Sequence, residues 1–182
     1  RIPSPGRRPT ESPPAGSGDA LALFFDAEAH PASALEAVAQ ERRLVILGDP
    51  GSGKSTFLNH LCLCLAAHPL QPEGGWMKRL PFWPAAEEDV LPVPVALRDF
   101  AHWLPDTVGP PRVRHLWHFI LSRLKDQNLF FAAKPLENAL EAGRAILLLD
   151  GLDEASSRTK RAVIRDAVAA FVARYPRCRI VL

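Results

Sequence analysis

The sequence predicts an α/β fold in which a mostly parallel sheet carries helices on both faces, and three observations lead to that expectation. A four-residue apolar run, Leu44 to Leu47, enters a glycine-rich turn and then a helix whose Phe57, Leu58, Leu61 and Leu65 recur at helical spacing. A second apolar run from Arg144 to Asp150 is continuous and does not alternate, the pattern of a strand buried on both faces. The helical patterns between and after these runs are long enough to serve as right-handed crossovers between parallel strands. At 182 residues the chain has the length of one domain, and 47% apolar against 23% charged residues places it with globular proteins able to bury a core.

In chain order, residues 1–18 are rich in Pro, Ser, Gly and Arg and hold almost no large apolar side chains, so they are expected to be a flexible linker. Residues 19–41 form a helical lead-in with two patterns, Ala20 to Glu28 and Ser33 to Gln40, divided by His30 and Pro31. Ser33 is the expected N-cap of the second, with Glu36 three residues on. Leu44 to Leu47 is expected to be a buried strand, followed by the helix already described. Pro69 to Pro92, broken by prolines and by Gly74 and Gly75, is expected to be a long irregular excursion. Its Trp76, Phe82 and Trp83 are expected to form a small apolar cluster that pins it. Pro92 to Leu97 is expected to be a strand, on an edge or with its prolines near its start. His115 to Phe131 is amphipathic through Leu116, Phe119, Ile120 and Leu124. His115 and His118 lie three apart on it without a Cys, Asp or Glu at ligand spacing, which favours packing or surface roles over a metal. Pro135 to Ala142 is expected to be a short helix begun by proline and stopped by Gly143. After the strand that ends at Asp150, a helix is expected from about Arg158 to Arg174, and Arg179 to Leu182 opens a last strand.

Charge and cysteine content narrow the function. Twenty-two basic and 20 acidic residues leave a net charge of +2, which gives no reason to expect a nucleic-acid or membrane partner. No apolar run approaches the length of a membrane span. The 3 cysteines, Cys62, Cys64 and Cys178, do not suit a disulfide framework or a zinc site and are expected to be reduced, core-filling thiols in a cytoplasmic protein. The chain starts at Arg1 and not at a methionine, and ends as abruptly after Leu182, so it is expected to be a piece of a longer protein.

Gly48, Asp49, Pro50, Gly51, Ser52, Gly53, Lys54, Ser55 and Thr56 follow the spacing G-x-x-x-x-G-K-[ST], and each position suits phosphate binding. Glycines let successive backbone N–H groups turn around an anion, and the first turn of the following helix adds unpaired donors and the positive end of its dipole. Lys54 is then expected to reach the β- and γ-phosphates, Ser55 to offer its hydroxyl to Mg²⁺, and Thr56 to lie near the α-phosphate. The expected ligand is a nucleotide, ATP or ADP with Mg²⁺. Asp150 ends a buried strand and so falls at the sheet edge where α/β folds bind ligands, in reach of the Mg²⁺ held by Ser55. Beyond it, Gly151, Leu152, Asp153 and Glu154 place two acids three and four positions on. Either Asp153 or Glu154 suits the orienting and deprotonation of a water facing the γ-phosphate.

Gly-Asp-Pro-Gly-Ser-Gly-Lys-Ser-Thr at 48–56, Val-Ala-Leu-Arg-Asp-Phe at 95–100 and Leu-Leu-Leu-Asp-Gly-Leu-Asp-Glu at 147–154 together resemble the NACHT class of STAND P-loop NTPases, over roughly Arg42 to Leu182. The resemblance implies a P-loop core of the ASCE type in residues 42–182, with the strand from Arg179 lying between the strands of the Walker A loop and of Asp150, and truncated before its last strand. It implies a slow ATPase used as a signalling switch, in which ADP/ATP exchange controls self-association. In the complete family pattern an effector domain precedes this core, and a sensor arginine, a helical subdomain, a winged helix and a sensor repeat array follow. The isolated 182 residues are accordingly expected to aggregate readily or to bind ATP weakly with negligible turnover.

Two other readings of the residues stay open. One is a turnover enzyme such as a nucleotide or small-molecule kinase, whose second substrate would use the Trp76 to Trp83 region. The other is a degraded NTPase kept as an interaction scaffold. A transporter ATPase would show a Leu-Ser-Gly-Gly-Gln segment before Asp150, and a helicase more often a second acid where this chain has Gly151.

Overall fold

The computed structural model describes residues 33–105, 113–152 and 158–182. Four strands, β1 (Arg43–Leu44), β2 (Leu91–Ala96), β3 (Ala145–Asp150) and β4 (Arg179–Val181), form one sheet in the order β1-β4-β3-β2, and every pairing is parallel. The chain therefore runs from β1 to the far edge, steps back through β3 and inserts β4 beside β1. The expected flanking of the Arg179 strand by the strands of the glycine-rich loop and of Asp150 is what is found.

Among the described residues six α-helices accompany the sheet: α1 (Ala34–Gln40), α2 (Lys54–Ala67), α3 (Leu97–Trp103), α4 (Val113–Asp126), α5 (Ala133–Ala142) and α6 (Arg158–Arg174). The Ser33 Oγ accepts the Glu36 N–H at 3.1 Å, so the expected cap starts α1. The alternation of side chains along the strands divides the core into two layers. Val93, Val95, Leu147, Leu149 and Ile180 face α3 to α6, whereas Ile146, Leu148 and Val181 face α1, α2 and the excursion after α2. Helices thus cover both faces, and most of β3 is buried from both sides, which accounts for its unbroken apolar run.

Several boundaries differ from expectation. Only Arg43 and Leu44 pair regularly in β1, although the Ile46 N–H still donates to the Leu182 carbonyl at 2.7 Å. Ile46 packs against the α2 layer, yet Val45 is 60% and Leu47 89% exposed, because β1 is an edge strand and α6 does not cover its other face. The expectation of a fully buried strand at Leu44 to Leu47 fails on those two residues. Helix α4 ends at Asp126, and the chain turns through Asn128 at φ 57° into a 3-10 turn at Phe130–Ala132. Pro135 stands in the first turn of α5 without beginning it, since proline needs no N–H partner there. Gly143 ends that helix in the left-handed conformation, as expected.

The excursion between α2 and β2 holds three 3-10 turns, and it is pinned by Leu80, Trp83 and Val90 in the α2 layer. Phe82 does not join that cluster; it stands 67% exposed at φ 71°. Trp76 is partly buried beneath Arg79, whose guanidinium lies 4.4 Å from the ring centroid.

The two sheet edges are built differently. In β2 the odd residues bond to β3, beginning with the Leu91 N–H on the Arg144 carbonyl at 3.0 Å, so the even positions turn their backbone outward. Those positions include Pro92 and Pro94, which have no N–H to leave unpaired. In β1 the even residues face β4, with the Leu44 carbonyl accepting from Leu182 at 3.0 Å, and the backbone of Arg43 and Val45 faces the open side.

At the N-terminal edge of the sheet a buried arginine joins three segments. Arg179, 4% exposed, pairs with Glu87 of the excursion and donates to the carbonyls of Val38 at 2.9 Å, Ala39 at 3.1 Å and Glu41 at 3.0 Å. The carbonyls that end α1 have no intrahelical donors, and the guanidinium supplies them. Glu87 also pairs with Arg42 at 2.6 Å, while Trp83 donates to the Glu87 carbonyl at 2.9 Å and lies 5.2 Å from the Arg179 guanidinium.

Among the described residues no helix is long and apolar enough to cross a membrane. Cys64 and Cys178 are buried and Cys62 is half-buried, all three as free thiols. Burial pushes each of them above the usual thiol range.

Candidate functional site

The loop between β1 and α2 owes its shape to its glycines. Gly51 and Gly53 adopt φ of 82° and 89°, which glycine takes at little cost, and a Cβ at either would meet nothing within 4 Å. The hollow of the loop therefore stays clear. Gly53 stands at the N-cap of α2, and no side chain caps that helix end. The first-turn N–H groups of α2, with the positive end of its dipole, thus point into the loop without an internal acceptor.

Lys54 folds back over the same loop. Its Nζ donates to the Gly48 carbonyl at 2.6 Å and to the Asp49 carbonyl at 3.0 Å, with Ser52 Oγ at 3.5 Å. Two loop carbonyls thereby fix the ammonium at the mouth of the turn.

Asp150 reaches this loop from the sheet. It is the last residue of β3, paired in register with Ala96, and Gly151 after it turns the chain away at φ 79°. A recess of about 420 Å³ is lined by Pro50 to Thr56 on one side and by Asp150 and Gly151 on the other. The structure therefore brings Ser52, Gly53, Lys54, Ser55, Thr56 and Asp150 to one cavity, with Gly48 and Asp49 at its rim through the lysine contacts. Asp153 and Glu154 lie outside the described residues.

A second cavity, of about 330 Å³, adjoins the first and shares Lys54, Asp150 and Gly151 with it. Its remaining wall is mostly apolar, from Ile46, Leu58, Leu149, Leu152 and Leu182 together with the exposed Val45 and Leu47, and Arg161 of α6 also lines it. Neither Leu58 nor Arg161 has a local sequence signal that marks it as part of a site. A further recess of about 560 Å³ along β2, α4 and α5 lies at the other edge of the sheet and holds none of these residues.

The donor set suits a phosphorylated, Mg²⁺-bound ligand. Ser55 and Asp150 offer a hydroxyl and carboxylate oxygens to the same recess, the hard oxygen donors that Mg²⁺ takes while keeping several waters. The uncapped N-terminus of α2 and the Lys54 ammonium provide for anionic oxygens beside them. His115 and His118 lie on α4, outside this recess. Trp83, beside Arg179, is at the opposite edge of the sheet from Asp150.

The family model for the NACHT domain matches residues 42–182. Nothing among curated proteins matches the chain, and nothing among solved structures does.

Proposed function

From the premise that this chain belongs to the NACHT family of P-loop NTPases, and so is a nucleotide-binding NTPase, we propose that it is the ATP-dependent switch of a signalling protein. In this reading it binds ATP and ADP, hydrolyses ATP slowly, and uses the exchange of one for the other to control self-association. The observation that supports it best is the shared recess, in which Asp150 at the end of β3 faces the loop and the uncapped helix end that carry Lys54 and Ser55.

The residues divide the work by their chemistry. The backbone N–H groups of Gly51 to Thr56 hold the α- and β-phosphates, and Lys54 neutralises the β- and γ-phosphates while its loop carbonyls orient it. Ser55 and Asp150 would hold Mg²⁺, which would supply charge neutralisation on the phosphate oxygens. Asp153 or Glu154 orients the attacking water and accepts its proton. Apolar side chains of Leu58, Leu149 and Leu152 border the space beyond Lys54, next to the terminal phosphate.

The placement of the tryptophans counts against the kinase alternative. Trp83 packs at the sheet edge opposite Asp150 and is occupied with Glu87 and Arg179, so it offers no wall for a second substrate beside the phosphates.

Calorimetry with Mg-ATP and Mg-ADP on the parent chain and on Lys54→Ala tests the proposal. The parent should bind both, and the variant should bind about ten- to a hundredfold more weakly, from the loss of a charge-assisted contact of about 1.5–3 kcal/mol. Equal affinities in a folded variant would remove the phosphate-loop reading. A parent that binds neither nucleotide would favour the scaffold alternative.

A further inference from the structure

We infer that Arg161 is a nucleotide-contacting residue, which reads the terminal phosphate and so distinguishes a nucleoside triphosphate from a diphosphate. The inference rests on the reading that the phosphates lie in the loop before α2.

Three observations lead to it. The second cavity begins where the phosphate loop ends, because Lys54, Asp150 and Gly151 line both recesses, whereas Ser55 and Thr56 line only the first. A phosphate chain followed from Thr56 to Lys54 therefore ends facing the second cavity. Among the described residues, the charged ones that line that cavity are Lys54, Asp150 and Arg161, set among apolar side chains. Lys54 donates to the Gly48 and Asp49 carbonyls, and Asp150 lines the first recess together with Ser55. Arg161 has no ion pair or hydrogen bond among the described residues, whereas Arg165 and Arg174 of the same helix pair with Asp166 and Glu141.

Lys54 and Arg161 are the cations among the described residues that line this space, and an anion held between them is drawn by both. A guanidinium matches the oxygens of a phosphate as a planar fork. The β-phosphate is already served by the loop and Lys54. The anion Arg161 can meet is thus one the diphosphate lacks. Arg161 also stands on α6, the helix that follows the Asp150 turn, so contact with the terminal phosphate would tie that helix to the nucleotide state.

The test compares the parent chain with Arg161→Gln, Arg161→Lys and Lys54→Ala by calorimetry, using Mg-ATP, a non-hydrolysable ATP analogue and Mg-ADP, with a urea melt of each protein. Arg161→Gln should lose about tenfold in affinity for both triphosphates and keep the parent's ADP affinity and urea midpoint. Arg161→Lys should recover part of the loss, since it restores the charge without the fork. Equal losses for ATP and ADP, or no loss for either, would overturn the inference while Lys54→Ala still weakened both and so left the phosphate-loop reading standing. A parent that bound neither nucleotide would overturn both.

Discussion

Replacing Arg179 should cost this chain more stability than any other single charge among the described residues, and the structure sets the scale. Arg179 is 4% exposed, and its guanidinium serves the Glu87 carboxylate together with the carbonyls of Val38, Ala39 and Glu41. Arg179→Ala leaves three buried carbonyls without that donor, and a carboxylate, 20% exposed, whose remaining partner is the half-exposed Arg42. Removing one member of such a buried pair costs about 3–5 kcal/mol. Domains of this kind are stable by about 5–15 kcal/mol, so the variant should sit near the edge of folding. Two gentler variants keep the reasoning measurable if it unfolds. Glu87→Gln keeps an acceptor but removes the charge and should cost about 1.5–3 kcal/mol. Arg42→Ala removes the outer pair, where the arginine is 53% exposed, and should cost no more than about 1 kcal/mol. Urea unfolding followed by circular dichroism, with slopes compared between variants, gives the three values. An Arg42→Ala loss as large as that of Glu87→Gln, or an Arg179→Ala chain within about 0.5 kcal/mol of the parent, would show that the buried network does not hold α1 and the excursion to the sheet.

The acids of the site should separate by role: Asp150→Asn weakens nucleotide binding only when Mg²⁺ is present, seen by calorimetry with and without EDTA. Asp153→Asn and Glu154→Gln should leave binding intact, and one of them should abolish phosphate release in the complete protein; hydrolysis at the parent rate in both would exclude each as the base. Gly143→Ala should destabilise more than Gly51→Ala by urea melt. Both force a side chain to positive φ at about 1–2 kcal/mol, but only at 143 would the new Cβ meet another atom, 2.6 Å from Arg177 Cβ. The buried thiols give a pH dependence with a definite sign. Their folded pKa values are raised, so the unfolded chain loses thiol protons first. Stability from this source is complete below about pH 8.5 and declines as pH rises beyond it. Urea midpoints at pH 7 and pH 9.5 read that decline, and a higher midpoint at pH 9.5 in a Cys64→Ala, Cys178→Ala chain than in the parent would support it.

What was legible in the sequence was local or nearly so. The loop spacing at 48–56, the unbroken run ending at Asp150, and the helix from Arg158 to Arg174 each depend on contacts within a few residues or on burial from both faces, and both leave a composition signal. The strand order followed from the resemblance of motifs and not from periodicity. Arg179 was legible only as the start of a strand, because its partners at Glu87 and in α1 are far away in sequence. Val45 and Leu47 show the opposite limit: an apolar run marks a strand, but whether both faces are covered depends on neighbours the run does not specify. Phe82 and Trp83, adjacent and both aromatic, part company because one backbone turn at φ 71° sends them to different environments. Arg161 gave no signal at all, since a single arginine in the first turns of a charged helix is ordinary until the fold sets it on one cavity with Lys54.

The unlike edges of the sheet give strand addition a direction. At β2 an incoming strand would meet Pro92 and Pro94 where it needs donors, so that side resists both docking and misassembly. At β1 the backbone of Arg43 and Val45 is open, flanked by the exposed side chains of Val45 and Leu47, and the next residues are Gly48 and Asp49, whose carbonyls hold Lys54. Any strand recruited there, whether from the same polypeptide or another, would register its hydrogen bonds on the peptide units that lead into the phosphate loop. A strand seated on that edge would therefore bond to backbone that adjoins the carbonyls holding Lys54.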